Sequence, residues 1–174
     1  MVAAMWVSPG ALSPVPSHAM IDESTVASVI KDLLRGDSLR QELDATFRRL
    51  ELRHPALSEL IAGEVAEIDS ATGQALGYFL FLTVYRAFEQ RFGARLGPVT
   101  HRQLDAALER LVADSEVREA CAPATCSEDV LAIGQPALMQ LIDRELRKAE
   151  NTEELMPAFE ALLVELLVLS DAVT

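Results

Sequence analysis

A glutamate and a histidine at a spacing used in metal-binding helices are the first candidates for chemistry in this chain. Glu51 and His54 form an E-x-x-H motif, and Glu64 and Glu67 follow on the next predicted helix. In carboxylate-bridged helical bundles, two such motifs and two further glutamates hold a pair of metal ions. Only one motif is present, because neither of the other two histidines has a glutamate three residues before it. The four residues indicate a carboxylate/histidine metal-binding enzyme, which is one alternative for the function.

Glu64 is unusual because it falls on the apolar stripe of its predicted helix, between Ile61 and Ile68. Burying a carboxylate without a partner is costly, so a ligand or a cation is expected beside it. The interpretation that competes with a metal ion is an ion pair between Glu64 and an arginine such as Arg49 or Arg86.

The stretch 71–92 contains the most apolar run of the chain and predicts a buried helix. Its uncharged part, Gly73 to Tyr85, is too short for a membrane span, which needs about 20 residues. The G-x-x-x-G motif formed by Gly73 and Gly77 predicts a close approach by a neighbouring helix or by a ligand. Aromatic side chains also line many pockets between helices. Gly77, Tyr78 and Tyr85 are therefore the candidate contacts of a second alternative, a small-molecule-binding helical domain.

Signatures of other catalytic classes are missing from the sequence. It has no nucleophile elbow, no phosphate-binding loop and no dinucleotide fingerprint. The two cysteines, Cys121 and Cys126, lack the second pair of ligands that a structural zinc site needs. We expect them to be free thiols, or a disulfide in an oxidising compartment. We accordingly expect a non-enzymatic protein without a cofactor.

The charge balance narrows the choice of partners. The chain has 27 acidic and 15 basic side chains and a net charge of −12, which disfavours nucleic acids and anionic membrane surfaces. Half of its 174 residues are apolar, which is enough for the core of one domain. Residues 1–20 lack the basic start and long apolar centre of a secretory signal and predict a flexible tail. We expect a cytoplasmic protein with one helical domain over 21–174.

Apolar residues that recur at helical spacing predict an all-α fold, a single bundle of six to eight helices. Polar residues that can cap a helix, or prolines that suit its first turn, mark where these helices begin. A further short helical turn is predicted over 127–133. The predicted starts are Asp22 or Ser24, Asp37 or Ser38, Pro55, Asp69 or Ser70, Thr100, Pro136 and Thr152.

The last helix carries a continuous apolar seam of heptad type. A helix that is apolar on most sides is buried on most sides, so this helix is either the central strut of the bundle or a subunit contact. We therefore expect a helical interaction or regulatory protein that self-associates through apolar helix faces. The seam consists of Leu155, Phe159, Leu162, Leu166, Leu169 and Val173.

Overall fold

In the computed structural model, the described residues 15–120 and 134–174 form an all-α fold with one isolated β-bridge, between Leu96 and Val173. For residues 114–120 only the backbone is described. Short 3-10 turns occur at Ser17–Ala19, Gly93–Arg95 and Glu153–Leu155. The predicted fold class is confirmed. The seven described helices are α1 (Glu23–Arg35), α2 (Leu39–Arg53), α3 (Pro55–Ala66), α4 (Ala71–Phe92), α5 (His101–Ala120), α6 (Pro136–Leu146) and α7 (Met156–Asp171).

Four helices begin at residues that the sequence marks as caps. Asp22, Ser38 and Ser70 each accept a hydrogen bond from the backbone N–H three residues later, at 2.7, 3.4 and 2.9 Å. Thr100 and Gln103 satisfy each other's backbone N–H groups, which is a capping box. These local bonds fix where each helix starts, independently of the rest of the fold.

The start of the last helix differs from the prediction. Thr152 does not cap α7 with its side chain; its carbonyl accepts from the Leu155 N–H in the 3-10 turn, and α7 begins at Met156. The second residue of the helix is Pro157, which lacks an N–H and suits the first turn. The predicted cap at Thr152 is therefore wrong, because the proline sets the start of the helix.

Two helices form the centre of the molecule. The aromatic helix α4 packs against α1, α2, α3 and α7, and α7 packs against α3, α4 and α5. Phe81, Tyr85 and Phe88 of α4 are fully buried, and so is nearly every side chain of α7 between 161 and 170. Of the two roles predicted for the last helix, the structure gives it that of the central strut.

The glycines of α4 permit a close approach, as the sequence predicts, but it is made by the connection between α3 and α4 and not by a neighbouring helix. A Cβ at Gly77 would lie 2.9 Å from Cδ1 of Ile68, and one at Gly73 would lie 2.7 Å from Cγ2 of the same isoleucine. The Glu154 carboxylate lies equally close to Gly73. The two glycines therefore make room for Ile68, in the connection between α3 and α4.

The packed body extends toward the amino terminus beyond residue 21. Val15 and Ala19 are buried. The buried Gln135 accepts a hydrogen bond from the Ile21 N–H at 2.9 Å and donates to the Ala19 carbonyl at 2.7 Å. It also donates to the Ser170 hydroxyl of α7 at 3.1 Å. One amide therefore ties the segment before α1 to the central strut.

Two sequence expectations fall on residues that the structure does not describe. Cys121 and Cys126, and the helical turn predicted over 127–133, lie outside the described ranges.

Candidate functional site

Three helices leave an open groove between them, with a volume of about 310 Å³. Each helix contributes four side chains, and on α5 and α7 these recur at positions i, i+3, i+4 and i+7, which is one helical stripe. The contributing residues are Ala56, Glu59, Leu60 and Glu64 of α3, His101, Leu104, Asp105 and Leu108 of α5, and Pro157, Glu160, Ala161 and Val164 of α7.

The floor of the groove is apolar and partly exposed to solvent. Leu104, Ala161 and Val164 are buried at its base, whereas Leu108 is 51% exposed. Half-exposed Val112, one turn beyond Leu108 on α5, lengthens this apolar stripe. A contiguous apolar surface with a polar rim is typical of sites that another molecule covers.

Carboxylates surround this floor. Glu59, Glu64, Asp105 and Glu160 all line the groove, and the one side chain in the lining that can carry a positive charge is His101. Nε2 of His101 lies 2.9 Å from Glu59, and both side chains are 70% exposed. The groove therefore has an apolar base and an acidic rim.

Glu64 is the predicted site residue that the structure places in the groove. It is half-buried, and within the described residues it forms no ion pair. Burial raises its pKa above the ordinary value, and the charges of Glu67 and Glu160 raise it further. Glu64 therefore lacks a cation where the groove offers room for one.

The predicted ion pair between Glu64 and an arginine is not formed. Arg49 pairs with Glu89 at 3.2 Å, and Arg86 lies 3.9 Å from Glu42. Both pairs join α2 to α4, because these arginines face that interface.

The four candidate metal ligands are spread over different surroundings. Glu51 is exposed on α2, His54 is buried where α2 meets α3, and Glu67 is exposed at the end of α3. Among the residues that the structure describes, no group of three histidine, cysteine or acidic side chains is close enough to hold a metal ion.

His54 has a structural environment of its own. Its Nδ1 accepts a hydrogen bond from the Val99 N–H at 3.2 Å, and its ring stands edge-on to Tyr85 with centroids 5.6 Å apart. In the described part of the chain Nε2 has no hydrogen-bond partner. Burial lowers the pKa of His54, and the Arg53 charge lowers it further. The neutral imidazole therefore links the α2–α3 corner to the segment before α5.

Acidification is expected to weaken the fold through His54. The folded-state pKa lies below 6.5, so the unfolded chain takes up this proton first. As the pH falls from 6.5 to the folded-state pKa, the free energy of unfolding decreases by about 1.4 kcal/mol per pH unit. Urea unfolding of wild type and His54→Asn, whose amide oxygen can still accept from Val99, measures this difference.

The matched control for this measurement is His101→Asn, at an exposed position. The difference in free energy of unfolding between wild type and His54→Asn should decrease as the pH falls below 6.5. Equal pH slopes for the two variants would show that burial of His54 does not set the acid sensitivity.

The residues of the predicted small-molecule site lie apart from the groove. The Tyr78 hydroxyl donates to Asp44 at 3.0 Å, and Gly77 is covered by Ile68. Burial raises the pKa of Tyr85 to about 12, and the charge of Glu89 beside its hydroxyl contributes to this shift. None of Tyr78, Tyr85 and Gly77 lines the groove.

Sequence reasoning found only Glu64 of the groove residues. The signal that could have found the others is a second stripe on α5 and α7. His101, Asp105 and Leu108 share one face with Leu104, and Pro157 and Glu160 share one with Val164. Such mixed stripes are hard to distinguish from ordinary partly exposed helix faces.

Comparisons with known proteins do not point to a function, so a function has to be inferred from the fold and the groove. Among the described residues, no helix combines the length and the apolarity that crossing a membrane requires. No protein-family model matches the chain, and searches among curated proteins and among solved structures give no match either.

Proposed function

We propose that the chain is a non-enzymatic interaction protein that binds a helical segment of a partner in the groove between α3, α5 and α7. The observation that supports this proposal is the set of three helical stripes that face one open space. An amphipathic helix that lays its apolar face into a hydrophobic groove is a common mode of peptide recognition. The partner's helix would pack against these three stripes.

The size of the groove favours a helix over a drug-sized ligand. Its volume of about 310 Å³ lies at the lower limit of typical small-molecule sites. It is also too small to enclose a helix, so the partner's helix lies across the opening and inserts a few apolar side chains. The half-exposed Leu108 and Val112 extend the contact along α5.

The chemistry of the lining favours binding over catalysis. The closest pair of titratable groups, His101 and Glu59, is 70% exposed on both sides. Catalytic pairs are usually held in partly desolvated surroundings that shift their pKa values. An exposed pair on the rim instead suits recognition of a partner at the edge of a contact.

Replacement of Leu108 tests the groove. A fluorescent amphipathic peptide with a leucine stripe and uncharged glutamines elsewhere is the probe, and anisotropy is the readout. Leu108→Ser should weaken binding about four- to tenfold, because burial of the exposed half of this leucine contributes about 0.8–1.5 kcal/mol. The control is Leu52→Ser, at an 86% exposed position on α2. Failure of the wild type to bind, or equal losses in both variants, would overturn the proposal.

Self-association through the same groove is the second form of this proposal, with another copy of the chain as the partner. Light scattering distinguishes the two forms, since a dimer that Leu108→Ser dissociates indicates a second copy and a monomer indicates a different protein. We further propose that the interaction takes place in the cytoplasm, and fractionation of cells that express the tagged chain tests this.

A further inference from the structure

We infer that the segment bound in the groove is a cationic amphipathic helix of another protein, with an apolar stripe flanked by lysines or arginines. This inference rests on the proposed function and adds the chemistry of the partner. Its basis is the placement of four carboxylates around an apolar floor: Glu59 and Glu64 from α3, Asp105 from α5 and Glu160 from α7.

The carboxylates come from all three walls of the groove, so a helix lying across it meets acidic groups on both of its flanks. The shared apolar base fixes which face of that helix points inward. Basic residues on either side of the apolar stripe therefore come next to these carboxylates. An acidic or neutral helix would leave Glu64, Asp105 and Glu160 without counter-charges.

Glu64 gives the strongest reason for a cation. It is half-buried, has no ion-pair partner within the described residues and lies near the charges of Glu67 and Glu160. A lysine or arginine placed at this point would relieve the repulsion and pair with a partly desolvated carboxylate, which is worth more than a pair in water.

The chain itself is a poor source of this cationic segment. The two stretches outside the described residues, 1–14 and 121–133, contain no lysine or arginine. A second copy carries the same net charge of −12, and this charge opposes association of two copies. A separate, basic protein is therefore the occupant that the charges favour.

Three peptides of about 18 residues, a length that can form a stable helix when bound, test this inference. All carry the same leucine stripe, and the flanking positions are lysine, glutamine or glutamate. The lysine peptide should bind about tenfold more tightly than the glutamine peptide, as expected for two or three surface ion pairs, and the glutamate peptide more weakly. Salt should reduce the preference, because it screens exposed charges.

The acidic chain could attract any cationic peptide, so the charge effect has to be assigned to the groove. Glu64→Gln and Glu109→Gln change the net charge equally, but Glu109 is exposed on α5 outside the groove. Only Glu64→Gln should reduce the preference for lysine, about threefold for a single pair. Equal effects in the two variants would overturn the inference.

The outcomes separate this inference from the proposed function. Equal binding of the lysine and glutamine peptides would remove the cationic partner and leave the groove as a helix-binding site. No binding by any of the three peptides would overturn both proposals. Binding of the lysine peptide that Leu108→Ser leaves unchanged would also overturn both, since the peptide would then lie elsewhere.

Discussion

Glu165→Leu is expected to raise the free energy of unfolding at neutral pH by about 3 kcal/mol, because the wild type buries a carboxyl group that nothing satisfies. Glu165 lies in the middle of α7 and is completely buried. Neither of its carboxyl oxygens has a hydrogen-bond partner in the described part of the protein. Leucine has a similar size and no polar group, so it fits the apolar surroundings of α7.

The effect of Glu165 should depend on pH in a defined direction. Burial raises its pKa well above 4.5, so the folded state keeps the proton after the unfolded chain has lost it. The contribution of protonated Glu165 to the free energy of unfolding is fully present below pH 4.5. It is lost as the pH rises, by about 1.4 kcal/mol per pH unit, until the folded-state pKa is reached.

Glu165→Gln isolates this ionisation, because the amide cannot lose a proton and is otherwise close in shape. In urea unfolding between about pH 5.5 and about pH 8, the free energy of unfolding of the glutamine variant should rise relative to that of the wild type as the pH increases. The free energy of unfolding of the leucine variant should rise relative to the wild type with the same dependence on pH. Glu109→Gln, at an exposed position on α5, is the control.

A pH-independent difference between wild type and Glu165→Gln would mean that Glu165 does not stay protonated in the folded state. A loss of stability in Glu165→Leu at every pH would mean that the carboxyl has a stabilising partner. Either result would contradict the assignment of Glu165 as an unsatisfied group.

The parts of the fold that could be predicted from the sequence are those that local rules determine. Asp22, Ser38 and Ser70 cap their helices because a side-chain oxygen needs only the N–H three residues later. The seam of the last helix is buried, except for half-buried Phe159, because its apolar residues leave only a narrow polar face. These features depend on neighbours in sequence, which the sequence lists directly.

The parts that could not be predicted depend on which helices meet. Glu160 and Glu165 are both acidic residues of α7, yet Glu160 is exposed and Glu165 is completely buried. The difference arises because α3, α4 and α5 cover different sides of α7. The groove could not be predicted for the same reason, since it forms where faces of α3, α5 and α7 are brought together.

Gln135 makes a stabilising contact that also could not be predicted from the sequence. It precedes α6 and has no recognisable motif, but its amide reaches Ile21 and Ala19, more than a hundred residues away in sequence. A glutamine in a loop is usually exposed, so residue type alone predicts a surface position. Only the packing of the segment before α1 against α7 identifies it as a buried link.

Gln135→Ala is expected to lower the free energy of unfolding by about 2–4 kcal/mol. The substitution removes the partners of the Ile21 N–H, the Ala19 carbonyl and the Ser170 hydroxyl, which Gln135 contacts at 2.7 to 3.1 Å. Each buried polar group left without a partner costs about 1–3 kcal/mol, and water that enters the vacated space recovers part of this. Urea unfolding measures the loss.

The amides whose hydrogen exchange accelerates distinguish loss of this contact from general damage to the core. Hydrogen exchange of the Ile21 amide should accelerate in Gln135→Ala more than exchange in the middle of α4, because the segment before α1 is released first. Gln135→Glu can accept from Ile21 but cannot donate to Ala19, so it should not restore stability. Gln140→Ala, at an exposed position on α6, is the control. Uniform acceleration across α4 and the segment before α1 would show that Gln135 supports the whole core, whereas a selective effect establishes it as the link between that segment and α7.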